Sequence, residues 1–357
     1  MQRNLFTTYH IIVILLFLFI FVHISAAQSL TFRPPAIPLV TCDPYFSIWS
    51  ITDHPADSWS RHWTGATQAM SSMIRIDGKT FRLLGTSPGK TPKMNMKDVE
   101  VTPTRTIYSF EDGGVDLRMI FTTPLIPYDI ERISRPVSYV SWLVKSTDGK
   151  EHDIAMYFDA TAELVVNTTD QKVMWSRLKK EGMDILSMGS LDQSVLAKSG
   201  DDLRIDWGYF YLVSPAAQHP GSVITNHENA RLTFSRSGIL PPNDDLRMPR
   251  QADDDWPVLA FSFDLPRTGA RPTELFLVLA YDDLFSIEYL NRRLPAYWKS
   301  TGMAIDELLD RSVKEYASVT ILCQKFDEEF TSDLIKVGGE KYAKIAALAY
   351  REAFAAH

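Results

Sequence analysis

Cysteine is nearly missing from this chain: Cys42 and Cys323 are the two among 357 residues. So few exclude a disulfide framework and a structural zinc site. They leave at most one bridge, which an oxidising compartment permits but whose geometry cannot be read from sequence. The eight histidines form no H-E-x-x-H pair, so no metal and no other cofactor is expected. Positive charge is scarce as well, with 37 Lys and Arg against 44 Asp and Glu for a formal charge of −7, and it forms no long basic run. That excludes nucleic acid as a partner. Carboxylate runs such as Asp253-Asp254-Asp255 lack the Gly and Glu spacing of an EF-hand loop and read as solvated loop. Alternation of strands and helices in βαβ units is also missing, which argues against a Rossmann or barrel-type α/β enzyme.

A long apolar run occurs once, at the N-terminus. Arg3 precedes "IIVILLFLFIFV" and then "HISAAQ", where Ser25, Ala26 and Ala27 supply the small residues a signal peptidase needs. The run is short for a bilayer of roughly 30 Å, so residues 1–27 read as a cleaved secretory leader, with an uncleaved anchor as the alternative. The expected location is extracellular. Loss of Arg3 with the leader makes the mature chain still more acidic. Asn167-Thr168-Thr169 is a sequon open to glycosylation in a eukaryotic secretory pathway, or else a plain loop.

The mature length exceeds what one core usually organises, so one large domain and part of a second are expected. Short β-type runs dominate from about residue 70 to 285. "MIRIDGKTFRLL" turns at Asp77-Gly78, "TIYSFEDGGVDLRMIF" at Asp112-Gly113-Gly114, and "VSYVSWLVKSTDGKEHDIAMYF" at Asp148-Gly149, each read as a hairpin. "PVLAFSFDL" and "ELFLVLAY" add buried strands, and the set predicts a mainly β protein, a large antiparallel sandwich over residues 28–300. From residue 303 the period changes. Ile305, Leu308, Leu309, Tyr316, Val319, Cys323, Phe326 and Phe330 form one helical stripe, with Cys323 a small buried hydrophobe. Gly338-Gly339 supplies a stop, and a second helix follows from near Glu340 with Tyr342, Ile345, Ala346, Ala349 and Phe354 on its apolar side. No Gly, Asn or Pro closes it before His357, so residues 301–357 read as a linker helix and the start of a helical domain cut short.

Candidate chemistry concentrates in "CDPYFSIWSITDHPADSWSRHWTG", where Trp49, Trp59 and Trp63 stand among Asp43, Asp53, Arg61 and His62. Large amphipathic rings beside carboxylates and an imidazole line a pocket, cover an interface or form core with polar handles. Asp282-Asp283, just after "ELFLVLAY", sit where a strand end reaches a cleft, or else form a strand-to-helix turn with Asp as the cap. "GTSPGKT" matches G-x-S-x-G through Ser87, but Pro88, Gly89 and Pro92 make it a loop and not the strand-to-helix elbow such a nucleophile needs.

These segments, with "RIDGKTFRLLG", "LAYDDLFSIEYL" and "VGGEKYAKIAALAYREAFAAH", resemble the secreted glutaminase A family of fungi and bacteria from about Phe32 onward. The resemblance implies an N-terminal β-sandwich region, usually filed as domains of unknown function, followed by a helical domain like the (α/α)6 toroids of six-hairpin glycosidases. It implies hydrolysis of L-glutamine to L-glutamate and ammonia by the intact protein, with this portion inactive alone and the helical domain as its partner. Catalytic residues are not assigned by the resemblance. Asp43, Trp49, Asp53, Trp59, Arg61, His62, Trp63 and Asp282 are the candidate binding residues, with structural anchoring as their plainer role. The alternative function is a noncatalytic carbohydrate-binding or glycosidase-associated module, whose partner is a glycan.

Overall fold

A computed structural model describes residues 34–356; the leader expected over residues 1–27 lies outside them. Among the described residues a nine-stranded sheet runs in the order 250–251, 172–180, 183–190, 209–215, 273–282, 137–146, 115–122, 105–112 and 96–101. A five-stranded sheet faces it, in the order 221–226, 257–268, 152–161, 70–76 and 79–84. Neighbouring strands in both pair antiparallel. The architecture is the antiparallel sandwich that the strand pattern predicts.

Alternation builds the interior. Strand Arg105–Asp112 buries Thr106, Tyr108 and Phe110, and strand Val115–Thr122 buries Val115, Leu117, Met119 and Phe121, while the residues between face outward. Trp142 from the large sheet and Phe158 from the small one meet edge to face at 5.8 Å. Each such fully buried ring contributes roughly 2–3 kcal/mol.

The turns at Asp77-Gly78 and Asp112-Gly113-Gly114 close hairpins as expected. The turn at Asp148-Gly149 does not. Strand Val137–Ser146 pairs within the large sheet and strand His152–Thr161 within the small one, so this turn is a corner passing from one sheet to the other. Strand His152–Thr161 is buried on both faces. Met156 and Phe158 face the inter-sheet core, while Tyr157 and Ala155 pack under Phe234 and Ala230. Those two belong to α-helix His227–Ser237, capped by the Asn226 side chain and closed at Gly238. The strand-dominated reading of residues 70–285 missed this helix.

A second layer covers the outer face of the large sheet. The helical segment Ile305–Ala355 lays Leu308, Leu309, Tyr316, Val319 and Cys323 on Tyr139, Val213, Val278 and Ala280. Tyr316 stacks on Phe276 at 3.7 Å. Asp327 anchors the helix to the sheet by accepting from Thr102 Oγ1, Thr104 N, Thr104 Oγ1 and Arg105 Nε at 2.6–2.9 Å. The helix breaks where the paired glycines predict: Gly339 has φ 79° and ψ 177°, a conformation open to glycine and costly for other residues. Beyond the break, Tyr350 packs against Phe326 and Phe330 at 5.7 and 5.5 Å. The buried face there is Ala343, Ala347, Leu348, Arg351 and Ala355, and Tyr342 and Ile345 are exposed. The face expected from apolar spacing is therefore rotated, because the buried Arg351 is held by Thr41 Oγ1 and Tyr350 by the Leu125 carbonyl. Cys42 and Cys323 are free, buried thiols.

Candidate active-site cleft

Strand Ile37–Thr41 ends in a tight reversal leading into strand Ser47–Ser50. Asp43 makes that reversal by accepting the backbone N–H of Tyr45 and Phe46 at 2.8 and 2.9 Å with one carboxylate oxygen, the local bond that suits Asp to turns. The Arg61–Gly65 segment secures it from outside. His62 Nε2 and Trp63 Nε1 both donate to the Pro44 carbonyl, at 2.9 and 2.7 Å. His62 Nδ1 accepts from the Thr64 N–H at 3.3 Å, which fixes the neutral tautomer with the proton on Nε2. Burial lowers the His62 pKa to about 4, against the pull of the Pro44 carbonyl.

A second acidic segment approaches from the end of strand Thr273–Asp282. Along it Leu277, Leu279 and Tyr281 point into the inter-sheet core, while Val278 and Ala280 point under the long helix. Asp282 continues the outward set and binds Lys299 Nζ and the Leu284 N–H, so it serves as a structural turn. Asp283 has the inward parity and emerges at the mouth of the core. One of its carboxylate oxygens is buried without a partner. Burial pushes its pKa up to about 6, the neighbouring Ser286 hydroxyl and the charge of Lys299 opposing the rise and the charge of Asp43 adding to it. Burial raises Asp43 too, against its two backbone donors. The Tyr45 phenol, raised by burial first, feels both carboxylates. Tyr45 packs edge-on to Trp207 at 5.0 Å, and Trp207 Nε1 donates to the Phe285 carbonyl at 3.2 Å, tying the two acidic segments together.

Both open into one cleft of about 770 Å³, a size suited to a small molecule. Its walls are Cys42–Tyr45, Trp63, Ile133–Pro136, the 198–203 loop, Asp283, Ser286, Ile287 and Pro295–Tyr297. The cationic side chains there are already engaged: Arg135 with Glu131 and Glu315 at 2.5 and 3.1 Å, and Lys198 with Asp206 at 3.2 Å. Asp43 and Asp283 have no such counterion, so the free charge of the cleft is negative.

Of the residues singled out from sequence, Asp43 and Trp63 line this cleft and His62 braces it. Arg61 donates to the Gly65 carbonyl, closing its own turn. Trp49 is buried and bonded to Ser47 Oγ, and Asp53 is exposed on the loop beyond strand Ser47–Ser50. Trp59 lines a different cavity, and Asn167 a cavity adjoining that one. Of the Asp282-Asp283 pair at that strand end, Asp283 and not Asp282 lines the cleft; Tyr45 and Tyr297 were not singled out. The pleat parity of "LFLVLAYDD" carries the signal for Asp283, whereas Tyr297 reaches the cleft from the short 3-10 helix Tyr297–Lys299. Among the described residues no group of three His, Cys, Asp or Glu side chains is placed to hold a metal.

A family model described as a domain of unknown function, DUF5127, matches residues 104–333, and another, DUF4964, matches residues 21–99. Glutaminase A of Aspergillus oryzae (strain ATCC 42149 / RIB 40) is 29% identical over 339 residues, which are 91% of this chain and 48% of the relative. The chain thus spans about half the length of that protein. The match supports the glutaminase A-like character read from the sequence. Among solved structures, a galactose mutarotase related enzyme from Lactobacillus acidophilus is 6% identical with a TM-score of 0.29, covering 70% of this chain and 95% of its own. A heparan sulfate lyase HepC mutant from Pedobacter heparinus is 8% identical with a TM-score of 0.28, covering 54% of this chain and 22% of its own.

Proposed function

Since the chain belongs to the DUF5127 family, we propose that it is the sandwich portion of a secreted, glutaminase-like hydrolase and that the Asp43–Asp283 cleft is part of its glutamine site. The observation that carries this reading is the pair of carboxylates in one cleft, both raised by burial, one with an unpartnered buried oxygen. Amide hydrolysis needs a base for the attacking water and an acid for the departing nitrogen. In this proposal ionised Asp43 takes a proton from water as its oxygen adds to the side-chain carbonyl of glutamine. Asp283, whose pKa of about 6 keeps a protonated fraction in mildly acidic to neutral solution, delivers a proton to the nitrogen as the C–N bond breaks. Glutamate and ammonia leave. The negative cleft also suits the α-ammonium group of the substrate.

We propose that donors for the developing oxyanion come from a helical domain in the half of the relative's length that this chain does not span. The residues of this chain alone then bind glutamine without turning it over. The test is ammonia release from L-glutamine and L-asparagine by this chain and by a version of the relative's full length. In the longer protein Asp283→Asn should lower kcat by roughly 10²-fold or more, with Asp43→Asn similarly impaired. Full activity of both variants would remove these carboxylates from the mechanism, and equal turnover by the short chain would remove the helical domain from it.

A further inference from the structure

Two adjoining cavities of about 310 and 380 Å³ share Thr67, Glu163 and Trp256 as walls. Trp59, His227 and Arg231 complete the first. The glutaminase reading uses none of these groups.

We infer that this double cavity is a binding site for a pyranose sugar, with Trp59 and Trp256 as its apolar walls and Glu163 and His227 as its hydrogen-bonding groups. Glu163 is 93% buried, its relative exposure being 7%. Its Oε2 accepts from the Ala69 N–H at 2.9 Å and from Thr161 Oγ1 at 2.7 Å, while Oε1 takes no protein partner. Glu163 lines both cavities, so its unpaired Oε1 is an acceptor open to the cavity that a ligand hydroxyl can meet. His227 Nδ1 accepts from Arg231 Nη1 at 3.2 Å, which leaves the ring proton on Nε2 as a donor with no protein partner. Arg231 is not available to an anion. It is held bidentate by Asp159 at 2.7 Å on each side, and its guanidinium lies 4.6 Å over the Trp59 ring. Arg204, in the wall of the second cavity, is paired with Asp202 at 2.5 Å and donates to the Asn167 carbonyl at 2.6 Å, so neither arginine is left as an uncompensated cation for a phosphate or carboxylate ligand. The walls offer two indole rings, an acceptor, a neutral donor and the Thr67 hydroxyl. A ring with C–H faces and equatorial hydroxyls meets that set.

The backbone adds a second sign. Trp256 is held at φ 44° and Asp255 at φ 62°, in the left-handed region that a bulky side chain rarely occupies. The Trp256 carbonyl is pinned there by the His227 N–H at 3.0 Å. Strain of this kind concentrates where a side chain is aimed for use.

The whole chain, produced in a host that leaves Asn167 unmodified, is titrated calorimetrically with methyl α-glucopyranoside, methyl α-mannopyranoside, methyl β-galactopyranoside and N-acetylglucosamine, each to about 20 mM. At least one should bind with one-to-one stoichiometry. Trp256→Ala should weaken it by roughly tenfold or more, and Glu163→Gln and His227→Gln by about threefold to tenfold. Circular dichroism confirms that each variant is folded, and the two conservative variants keep the test open if Trp256→Ala is not. Saturating L-glutamine should leave the sugar bound. Absence of binding by all four sugars overturns the inference, as does affinity unchanged in the Glu163 and His227 variants, or displacement by glutamine, which would place the sugar in the other cleft. Ammonia release from glutamine is measured separately, so its failure leaves this result standing.

Discussion

Asp159 and Asp283 are both carboxylates withdrawn from water, and the fold treats them oppositely. Asp159 lies fully buried, and both its oxygens are taken, by Arg231 Nε and Nη2 at 2.7 Å and by the Tyr157 hydroxyl at 2.6 Å. The pair lies between the small sheet and helix His227–Ser237, where it joins two elements. Asp283 lies at the rim of the inter-sheet core with one oxygen unpartnered and a second carboxylate nearby, and its pKa rises to about 6. A paired buried charge is committed to the fold; an unpaired one is held in readiness for something that arrives.

The strongest way to break this contrast is to delete each carboxylate in turn. Asp159→Ala leaves Arg231 buried without its counterion and should destabilise the protein by about 3–5 kcal/mol, read from the urea midpoint. Asp283→Asn at pH 7 should cost nothing measurable or raise the midpoint, since it removes a charge that burial disfavours. A loss above about 2 kcal/mol for Asp283→Asn would show it to be structural after all.

The pH dependence sharpens the same contrast at smaller scale. The folded-state pKa of Asp283 is raised, so between its unfolded value and about 6 the folded chain keeps a proton that the unfolded chain has released. Its contribution to stability is therefore lost as pH rises through that window, by on the order of 1–2 kcal/mol after discounting for partial exposure. Asp283→Asn should flatten that slope, as measured by thermal midpoints from pH 4 to about pH 7. An unchanged slope would assign the titration elsewhere. The smallest effect belongs to the brace. Trp63 is 39% exposed, and Trp63→Phe removes one of two donors to Pro44, so stability should drop by only about 0.5–1 kcal/mol while ligand affinity in the cleft falls more clearly.

What the sequence disclosed follows the range of the interactions involved. The turns at Asp77-Gly78 and Asp112-Gly113-Gly114 are local, and their hairpins were legible. The corner at Asp148-Gly149 was not, because the partners of strand His152–Thr161 are chosen by what covers its second face. That cover is helix His227–Ser237, whose apolar content is slight: Ala230 and Phe234 are its buried hydrophobic residues. The break at Gly338-Gly339 was legible, but the face of the following helix was not, since a buried arginine replaced an apolar residue at its centre. The cleft divides likewise. Asp43, His62 and Trp63 stand together in the chain, whereas Arg135, the 198–203 loop and Tyr297 come to them only through the fold.

The shared acceptor at Pro44 has a consequence for how the cleft tolerates acid. Because His62 is neutral down to about pH 4, the two indole and imidazole donors keep their places while Asp283 gains or loses its proton near pH 6. Scaffold and chemistry thus answer to separate parts of the pH scale. The separation has a lower bound. Below pH 6.5 the unfolded chain protonates this imidazole and the folded chain refuses to, so acidification draws down stability at the cleft floor well before the floor itself changes shape.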